Sequence, residues 1–498
     1  MAIPNPEIRF LLRKLRIKCK VPLLFGRSLL NKSTMYQIDF HAGTLLLSHS
    51  MPDQPLPAQL AAYCQYDPRV ACWRAEAMRY ADIITYLYRQ KLPYQDLAKD
   101  YQELTLSFHE QRQPRPYQRA ALQAWLKNGR RGVVALPTGT GKSFLALLAI
   151  LHCQRSTLVV VPTLDLMAQW AGQLERAFKC PVGMLGGGSK NLLEISVSTY
   201  DSAMLQMEHI GRRFGLLVVD ECHHLRGESY QQLARFCIAP FRLGLSATPD
   251  AENPQDQTLQ NLLGPICYRI EIDQLEGKVL APYQTHTIEV ELDPDEQRLY
   301  DENREIYIAF LQQYQIRLGG ARGWKDFLIA CARQPGGRAA FEAYLEQRRI
   351  SRSCKAKIRL IWQLLQTHRN DRMLIFTADN ATAYDIGEQF YLPVLTHHSK
   401  VSERKQMLDY FRQGIYPALV TSRVLNEGVD VPEANVGIVV SGSGSTREHV
   451  QRLGRILRPG PDKTALLYEL ISEGTSERYV SERRRMHRAY EKPDSMPN

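Results

Sequence analysis

One eight-residue run constrains the fold of this chain more than any other: Leu136-Pro137-Thr138-Gly139-Thr140-Gly141-Lys142-Ser143. The apolar stretch 132–136 leads into the run and predicts a buried strand. A second apolar stretch, 144–150, follows the run and predicts a helix. The run therefore predicts a tight loop between a strand and the N-terminus of a helix, where the helix dipole favours an anion.

The residue types within this loop suit a phosphate chain. Gly139 and Gly141 carry no Cβ, so the backbone can turn its N–H groups inward. Lys142 supplies a cation for terminal phosphates, and the Ser143 hydroxyl can bind Mg²⁺. Leu136 stands where the strict phosphate-binding pattern has its first glycine. This departure reduces the number of families that the chain could belong to, but it does not argue against a phosphate-binding loop.

Composition sets broad limits on the class of protein. The chain has 498 residues, 44% of them hydrophobic, which is enough for three or four packed domains. Its formal net charge of +11 favours a polyanionic partner. The 10 cysteines form no Cys-x-x-Cys pair, so we expect reduced core thiols rather than a zinc or iron–sulfur site. No apolar run reaches the length of a membrane span, and we expect a cytoplasmic protein that does not contact membranes.

Changes in pattern along the chain predict five segments. Two regions alternate apolar strands with helices, which is typical of parallel sheets covered on both faces. A region rich in Glu, Gln, Arg and aromatic residues separates them and predicts a helical insertion. The segments are 1–34, a basic and poorly ordered extension, transit peptide or anion-binding arm; 35–110, a small α+β domain; 111–285, an α/β domain; 286–355, the insertion; and 356–498, a second α/β domain.

An acidic turn follows one predicted strand of the first α/β domain. The strand 216–219 runs into Asp220-Glu221-Cys222-His223. A carboxylate at a strand end beside the phosphate loop is suited to Mg²⁺, so Asp220 is a metal candidate. Glu221 can polarise an attacking water. The plain alternative is a solvated acidic turn, which the neighbouring phosphate loop disfavours.

Two arginines in the second α/β domain predict a complementary group. Arg455 and Arg458 are three residues apart, so they share one face of a helix. Two guanidinium groups can stabilise charge on a transferring phosphoryl group. A solvated basic helix is the alternative if this segment is considered alone.

In their order along the chain these segments resemble motifs I, II, III and VI of superfamily 2 helicases and translocases. The matching runs are 136–143, 220–223, 246–248 and 451–458. The resemblance implies two RecA-like parallel-sheet motor domains that bind ATP and Mg²⁺ between them. Hydrolysis then depends on closure of the two domains. The implied catalytic residues are Lys142, Asp220, Glu221, Gln451, Arg455 and Arg458, with Ser143 and Asp220 at the metal.

The same resemblance assigns further residues to ligands. Arg115 and Gln118 match the element that reads adenine, and Gly428 and Asp430 match motif V. With these, the implied ATP-binding residues include Thr138, Gly139, Thr140, Gly141, Lys142 and Ser143. Motifs Ia, Ib and V imply contacts to a nucleic-acid backbone from Pro162, Thr163, Thr199, Tyr200 and Thr421.

Within the superfamily the chain is most similar to the XPB helicases of DNA repair and transcription factor IIH. The run 275–283 resembles the segment after their first motor domain, and 66–75 resembles their damage-recognition domain. The resemblance implies an ATP-dependent helicase that moves 3′ to 5′ on single-stranded or forked DNA in DNA repair. It implies a monomer associated with the nucleoid in a prokaryote, and it is compatible with a separate nuclease as a partner.

Two other functions stay open at this point. An RNA helicase would share the motor motifs, but the acidic motif is Asp-Glu-Cys-His rather than Asp-Glu-Ala-Asp. An ATP-gated DNA-binding scaffold with little turnover would share the nucleotide site. The presence of Lys142, Glu221 and Arg455 argues against that scaffold.

Overall fold

The computed structural model describes residues 35–50, 55–249, 256–275, 282–318, 322–396, 398–422, 434–442, 464–479 and 481. The basic extension 1–34 lies outside the described residues. The chain forms three separate sheets, of five, eight and six strands. No helix in the described part of the chain combines the length and the hydropathy that a membrane span requires.

The N-terminal domain is built on the five-stranded sheet. Its strands are β1 Tyr36–His41, β2 Thr44–His49, β3 Cys64–Asp67, β4 Cys72–Glu76 and β5 Tyr94–Asp96. The order is β3-β4-β2-β1-β5, and β1 pairs in parallel with β5 while the other pairs are antiparallel. Its helices are α1 Ala58–Ala61 and α2 Tyr80–Arg89. Strands β1 and β2 form an antiparallel hairpin in which His41 pairs with Thr44.

The eight-stranded sheet forms the first lobe, together with its helices. Its strands are β6 Arg131–Ala135, β7 Thr157–Val161, β8 Gly183–Gly186, β9 Ser189–Asn191, β10 Ile195–Thr199, β11 Leu216–Asp220, β12 Phe241–Ser246 and β13 Ile266–Arg269. The order is β13-β6-β12-β11-β7-β10-β8-β9. Its helices are α3 Pro116–Lys127, α4 Lys142–Cys153, α5 Leu164–Phe178, α6 Tyr200–Ile210, α7 Glu228–Arg235, α8 Thr258–Leu262 and α9 Ile272–Leu275.

Both faces of this sheet are covered, as the continuous apolar strands predicted. Every residue of β7 is buried. Val159 and Val161 pack into the core on one face, and Leu158 and Val160 pack into the core on the other. Because the central strands are parallel, their carboxyl ends lie along one edge of the sheet, where the phosphate loop and the acidic turn both emerge.

The six-stranded sheet forms the second lobe. Its strands are β14 Tyr283–Val290, β15 Met373–Phe376, β16 Val394–Leu395, β17 Ala418–Thr421, β18 Val436–Val439 and β19 Ala465–Ser472. All are parallel, in the order β14-β19-β18-β15-β17-β16. Its helices are α13 Lys355–Thr367, α14 Asn380–Phe390 and α15 Val401–Arg412. Two covered sheets whose strands are parallel except for the edge pair β8–β9, a small α+β domain and a helical insertion confirm the predicted fold class.

The helical insertion consists of α10 Pro294–Gln313, α11 Gly323–Arg333 and α12 Gly337–Arg352. Phe310 and Phe327 lie in its own small core. Both of its ends connect to the second lobe. On one side β14 pairs with β19 along its whole length, so the predicted domain boundary at 285 falls inside a strand of the second sheet.

On the other side of the insertion, helix α13 is fixed to the second lobe by a buried cation. Lys357 is fully buried, and its Nζ donates to the main-chain oxygen of Val440 at 2.8 Å. The same Nζ forms an ion pair with Glu477. An ammonium group is tolerated in such a place only with partners of this kind.

An ion pair joins the described parts of the two lobes directly. The Arg404 guanidinium of α15 lies 3.0 Å from the carboxylate of Asp165 in the first turn of α5. Both side chains are largely buried, with 19% and 24% of their surface exposed. The pair therefore connects helix α5 of the first lobe to the second lobe.

Candidate active site

The phosphate loop adopts the geometry that its glycines predicted. Gly139 and Gly141 have φ angles of 82° and 81°, in the left-handed region that favours glycine. Gly141 forms the N-cap of α4, so Lys142 and Ser143 begin the helix. The Thr140 hydroxyl donates to the main-chain oxygen of Pro137 at 2.7 Å, which closes the loop on itself.

Side chains of helix α3 hold this loop through hydrogen bonds to its main chain. The Tyr117 hydroxyl donates to the main-chain oxygen of Thr140 at 2.5 Å. The amide Nε2 of Gln118 donates to the main-chain oxygens of Thr140 and Gly141, at 3.0 and 3.3 Å. Its Oε1 accepts from the main-chain N–H of Arg115 at 2.9 Å. Since main-chain groups occupy both ends of the Gln118 amide, reading adenine through it would require these bonds to exchange.

A cavity of about 370 Å³ lies beside the loop. Its lining residues are Arg112, Gln113, Arg115, Gln118, Gly139, Thr140, Gly141 and Phe144. The Arg112 guanidinium packs over the Phe144 ring, 4.9 Å from its centroid. A cationic and aromatic rim beside a phosphate loop suits a nucleotide base.

The acidic turn faces the loop at the carboxyl edge of the sheet. Lys142 Nζ lies 3.3 Å from Glu221 Oε1, and only 10% and 13% of the two side chains are exposed. Glu221 has a left-handed φ of 47°, an uncommon conformation for a residue with a side chain and one often found at active sites. The structure thus brings Lys142, Asp220 and Glu221 together at one place.

The Asp220 carboxylate is fixed by two N–H donors. The indole Nε1 of Trp170 donates to Oδ2 at 2.9 Å, and the main-chain N–H of Glu221 donates to Oδ1 at 3.0 Å. Burial, reinforced by the charge of Glu221, raises the pKa of Asp220 above its usual range. Lys142 and the Trp170 hydrogen bond act in the opposite direction and favour the carboxylate.

Motif III lies within hydrogen-bonding distance of the acidic turn. His223 Nδ1 lies 3.2 Å from Ser246 Oγ and 3.5 Å from Glu221 Oε2. The main-chain N–H of Thr248 donates to the same Ser246 oxygen at 3.1 Å. Displacement of the acidic turn would therefore change the hydrogen bonds of Ser246 at the end of β12.

The donors at this edge fit a nucleotide phosphate chain with Mg²⁺. The Thr138 hydroxyl in the loop is buried and has no hydrogen-bond partner among the described residues. No group of three or more His, Cys, Asp or Glu side chains in the described ranges could hold a metal ion by itself. Mg²⁺ is commonly held by one or two carboxylates and substrate phosphates, so the single carboxylate of Asp220 is consistent with it.

The residues predicted to contact nucleic acid fall into two groups. Thr163 and Thr199 are N-caps of α5 and α6, at the same carboxyl edge of the sheet; Pro162 and Thr163 are partly exposed, whereas Thr199 has 8% of its surface exposed. Tyr200 and Thr421 have only 2% and 0% of their surface exposed. Contact of either side chain with nucleic acid does not fit this burial.

The buried Tyr200 and Trp170 take part in a different interaction. The Tyr200 hydroxyl donates to the main-chain oxygens of Asp220 and Glu221, at 2.9 and 3.2 Å. The sequence interpretation missed Trp170 altogether, because a tryptophan in an amphipathic helix predicts core packing. The available signal was that Trp170 lies on α5, the helix that follows β7, and β7 is the neighbour of β11 in the sheet.

Five predicted ATP-site residues lie outside the described residues: Gln451, Arg455, Arg458, Gly428 and Asp430. Their placement on the opposite wall of the cleft stays a prediction. The described half of the site and the two parallel sheets define the class of protein as a P-loop ATPase motor.

Family comparisons define the type of motor. Residues 38–98 match the xeroderma pigmentosum group B helicase damage recognition domain, and residues 342–489 match the ERCC3/RAD25/XPB C-terminal helicase family. Residues 111–251 match the family described as type III restriction enzyme, res subunit. A protein of Sulfurisphaera tokodaii named DNA 3′-5′ translocase XPB2 is 36% identical over 421 residues, which cover 84% of this chain and 95% of that protein. The chain therefore belongs to the XPB family of superfamily 2 helicases, as the motifs predicted.

More distant relatives also match this chain. Proteins named DNA 3′-5′ helicase XPB from Kineococcus radiotolerans and Mycobacterium tuberculosis are 28% and 27% identical to this chain. The matches cover 74% and 79% of this chain, and 62% and 67% of those proteins. The helicase domain of Pyrococcus furiosus Hef superimposes with a TM-score of 0.49 at 19% identity, over 74% of this chain and 98% of that structure.

Proposed function

We propose that this chain couples ATP hydrolysis to 3′–5′ translocation along DNA, or to DNA unwinding, in DNA repair. The observation that carries the proposal is the contact of Lys142 with Glu221 at 3.3 Å, beside a phosphate loop and a buried aspartate. The proposed direction of translocation and the proposed DNA substrate are supported by the name of the Sulfurisphaera translocase. The match to this chain covers 95% of that protein.

Each described residue at the site has a role in this reaction. Lys142 neutralises charge on the terminal phosphates, and Glu221 orients and deprotonates the attacking water. Ser143 and Asp220 would hold Mg²⁺, which neutralises charge on the phosphate oxygens when it is bound. The loop N–H groups around Gly139 and Gly141 position the phosphate chain for attack.

Nucleic acid would lie along the carboxyl edge where Thr163 and Thr199 cap their helices. Backbone phosphates meet helix N-termini and hydroxyl groups there, so little sequence preference and strong salt dependence follow. Closure of the lobes would bring the predicted Arg455 and Arg458 to the phosphates and complete the site. Each cycle of closure and opening would then advance the grip along one strand.

The finer assignments belong to the same proposal. The N-terminal domain, the first lobe, the insertion and the second lobe are four successive domains in this proposal. The protein acts as a monomer on single-stranded or forked DNA in the cytoplasm, where a separate nuclease is a compatible partner. The resemblance to the XPB helicases is the reason for naming that partner.

The direct test is the rate of ATP hydrolysis with single-stranded, forked and duplex DNA and with RNA of matched length. We expect DNA, single-stranded or forked, to stimulate hydrolysis at least several-fold, and RNA to stimulate it less. Equal or greater stimulation by RNA would favour the RNA helicase. A low rate under every condition, with intact ATP and DNA binding, would favour the scaffold.

A substitution separates nucleotide binding from turnover. Glu221→Gln keeps the side-chain volume but removes the base, so the hydrolysis rate should fall by about 100-fold or more. ATP affinity should stay within a few-fold of wild type, because Lys142 and the loop are intact. Steady-state phosphate release and binding of a fluorescent ATP analogue measure the two quantities.

Glu228→Gln is the matched control for this variant. Glu228 is exposed and begins α7 in the same lobe. Its replacement should change neither hydrolysis nor binding. A Glu221→Gln protein that hydrolyses ATP at the wild-type rate would remove Glu221 from the reaction.

A further inference from the structure

The carboxylate proposed to hold Mg²⁺, at the end of strand β11, accepts a hydrogen bond from a residue of helix α5. Trp170 Nε1 donates to Asp220 Oδ2 at 2.9 Å, inside the core of the first lobe. Trp170 has 2% of its surface exposed and Asp220 has 8%. Since the Glu221 N–H takes the other oxygen, the two bonds together set the orientation of the carboxylate plane.

The helix that supplies Trp170 begins at the proposed nucleic-acid track. Thr163 caps α5, and its hydroxyl oxygen accepts from the main-chain N–H of Leu166 at 3.3 Å. Trp170 is the seventh residue of α5, which places it about 10 Å along the helix from that end. One rigid helix therefore spans the distance from the track to the carboxylate.

The same end of α5 also contacts the second lobe. Asp165, in the first turn, pairs with Arg404 of α15 at 3.0 Å. Met167, Trp170 and Leu174 form the buried face of the helix, so a displacement at its first turn is transmitted along a packed element rather than absorbed. The start of α5 thus lies at the proposed nucleic-acid track and also contacts the second lobe.

We infer that Trp170 is a positioning residue that couples the start of helix α5 to the orientation of the Asp220 carboxylate. This inference rests on the proposed function, since it assigns a route by which DNA binding and lobe closure reach the metal ligand. When the start of α5 shifts, the indole N–H shifts with it, and the carboxylate turns toward or away from the metal position.

The alternative is that Trp170 only fills the core. The chain contains a close comparison for that role in Trp125 of α3. Trp125 is 1% exposed in the same core, and its Nε1 donates to the main-chain oxygen of Arg242 at 2.9 Å. Its acceptor lies at the start of β12, at the sheet edge opposite the candidate site.

The test compares Trp170→Phe with Trp125→Phe. Each variant removes one buried indole N–H and keeps an aromatic ring, so their losses of packing are similar. For Trp170→Phe we expect kcat to fall about tenfold, with the KM for ATP unchanged, because one hydrogen bond to a charged group is lost. The stimulation of hydrolysis by single-stranded DNA should also decrease. Trp125→Phe should change neither quantity.

Metal affinity gives a readout that does not depend on turnover. Binding of Mn²⁺ to the full chain with ADP, followed by electron paramagnetic resonance, should weaken about tenfold in Trp170→Phe. It should stay at the wild-type value in Trp125→Phe. Identical Mn²⁺ affinity and identical kinetics in the two variants would overturn the inference and leave Trp170 as a core residue.

A variant where the two lobes meet tests the route without changing the core of the first lobe. Asp165→Asn removes the ion pair with Arg404 and should reduce DNA stimulation. In the double variant with Trp170→Phe, the two losses should be less than multiplicative if both act through α5. Multiplicative losses would overturn the coupling. Wild-type protein without any DNA stimulation would instead defeat the proposed function, while the Mn²⁺ comparison would still test the Trp170–Asp220 bond.

Discussion

Replacing Lys142 with alanine should lower the rate of ATP hydrolysis by at least about 100-fold, because the phosphates lose their aligned cation in a water-poor site. The same change leaves the Glu221 carboxylate without its partner at 3.3 Å. Binding of single-stranded DNA without nucleotide should stay within a few-fold of wild type, since Lys142 lies in the phosphate loop. Phosphate release and fluorescence anisotropy of labelled DNA measure the two effects.

Lys127→Ala provides the control for loss of a cation from the same lobe. Lys127 is exposed in the last turn of α3. It should hydrolyse ATP like wild type. If Lys142→Ala keeps wild-type hydrolysis, the assignment of the ATP site fails, whatever the effect on DNA binding.

The largest expected loss of stability follows from replacing Arg242, the second residue of strand β12. Its guanidinium is fully buried and donates to four main-chain oxygens, those of Ala234, Cys237, Ala239 and Leu262, at 2.6 to 3.1 Å. Burial lowers the pKa of Arg242 to about 10, so it stays charged at neutral pH. Two of the acceptors lie at the C-terminal ends of α7 and α8, where a cation is favourable.

Arg242→Met should destabilise the first lobe by about 4 kcal/mol, because several buried oxygens lose their only charged donor. The midpoint of thermal unfolding of the lobe should fall by roughly 10 °C. Arg119→Met, on the exposed side of α3, is the control and should leave the midpoint unchanged. A midpoint for Arg242→Met within a degree of wild type would show that the four hydrogen bonds contribute little.

The sequence predicted most of the fold because its signals are local. Glycines in the phosphate loop, apolar strands and the acidic turn are each contained in fewer than ten residues. Parallel sheets then bring strand ends to one edge, which is why Lys142 and Glu221, each following a predicted strand, were expected at the same site once the family motifs were recognised.

The features that the sequence did not reveal depend on contacts between distant segments. Strand β14 joins the second sheet through β19, about 180 residues later in the chain, and the pattern of β14 itself favours neither sheet. Arg242 interrupts an apolar strand, and only the structure explains it through the four oxygens around it. Trp170 has the helical spacing of an ordinary core residue, so its bond to Asp220 was invisible.

Motif matching did not describe what the side chains of the matched residues contact. Gln118 lines the cavity beside the phosphate loop, but its amide holds that loop in this structure. Tyr200 stands in motif Ib, yet its hydroxyl supports the acidic turn. In both cases a residue next to a ligand site is bonded to main chain, and a one-dimensional pattern does not separate the two roles.

The attachment of the helical insertion at both ends determines how it can move. Strand β14 lies at the edge of the second sheet, and helix α13 is fixed by the buried Lys357 ammonium. Because both ends are attached to the second lobe, we expect α10, α11 and α12 to move together with that lobe. When the second lobe rotates, the far end of the helical insertion would be displaced farther than the lobe itself. Displacement about a hinge grows with distance from the hinge axis.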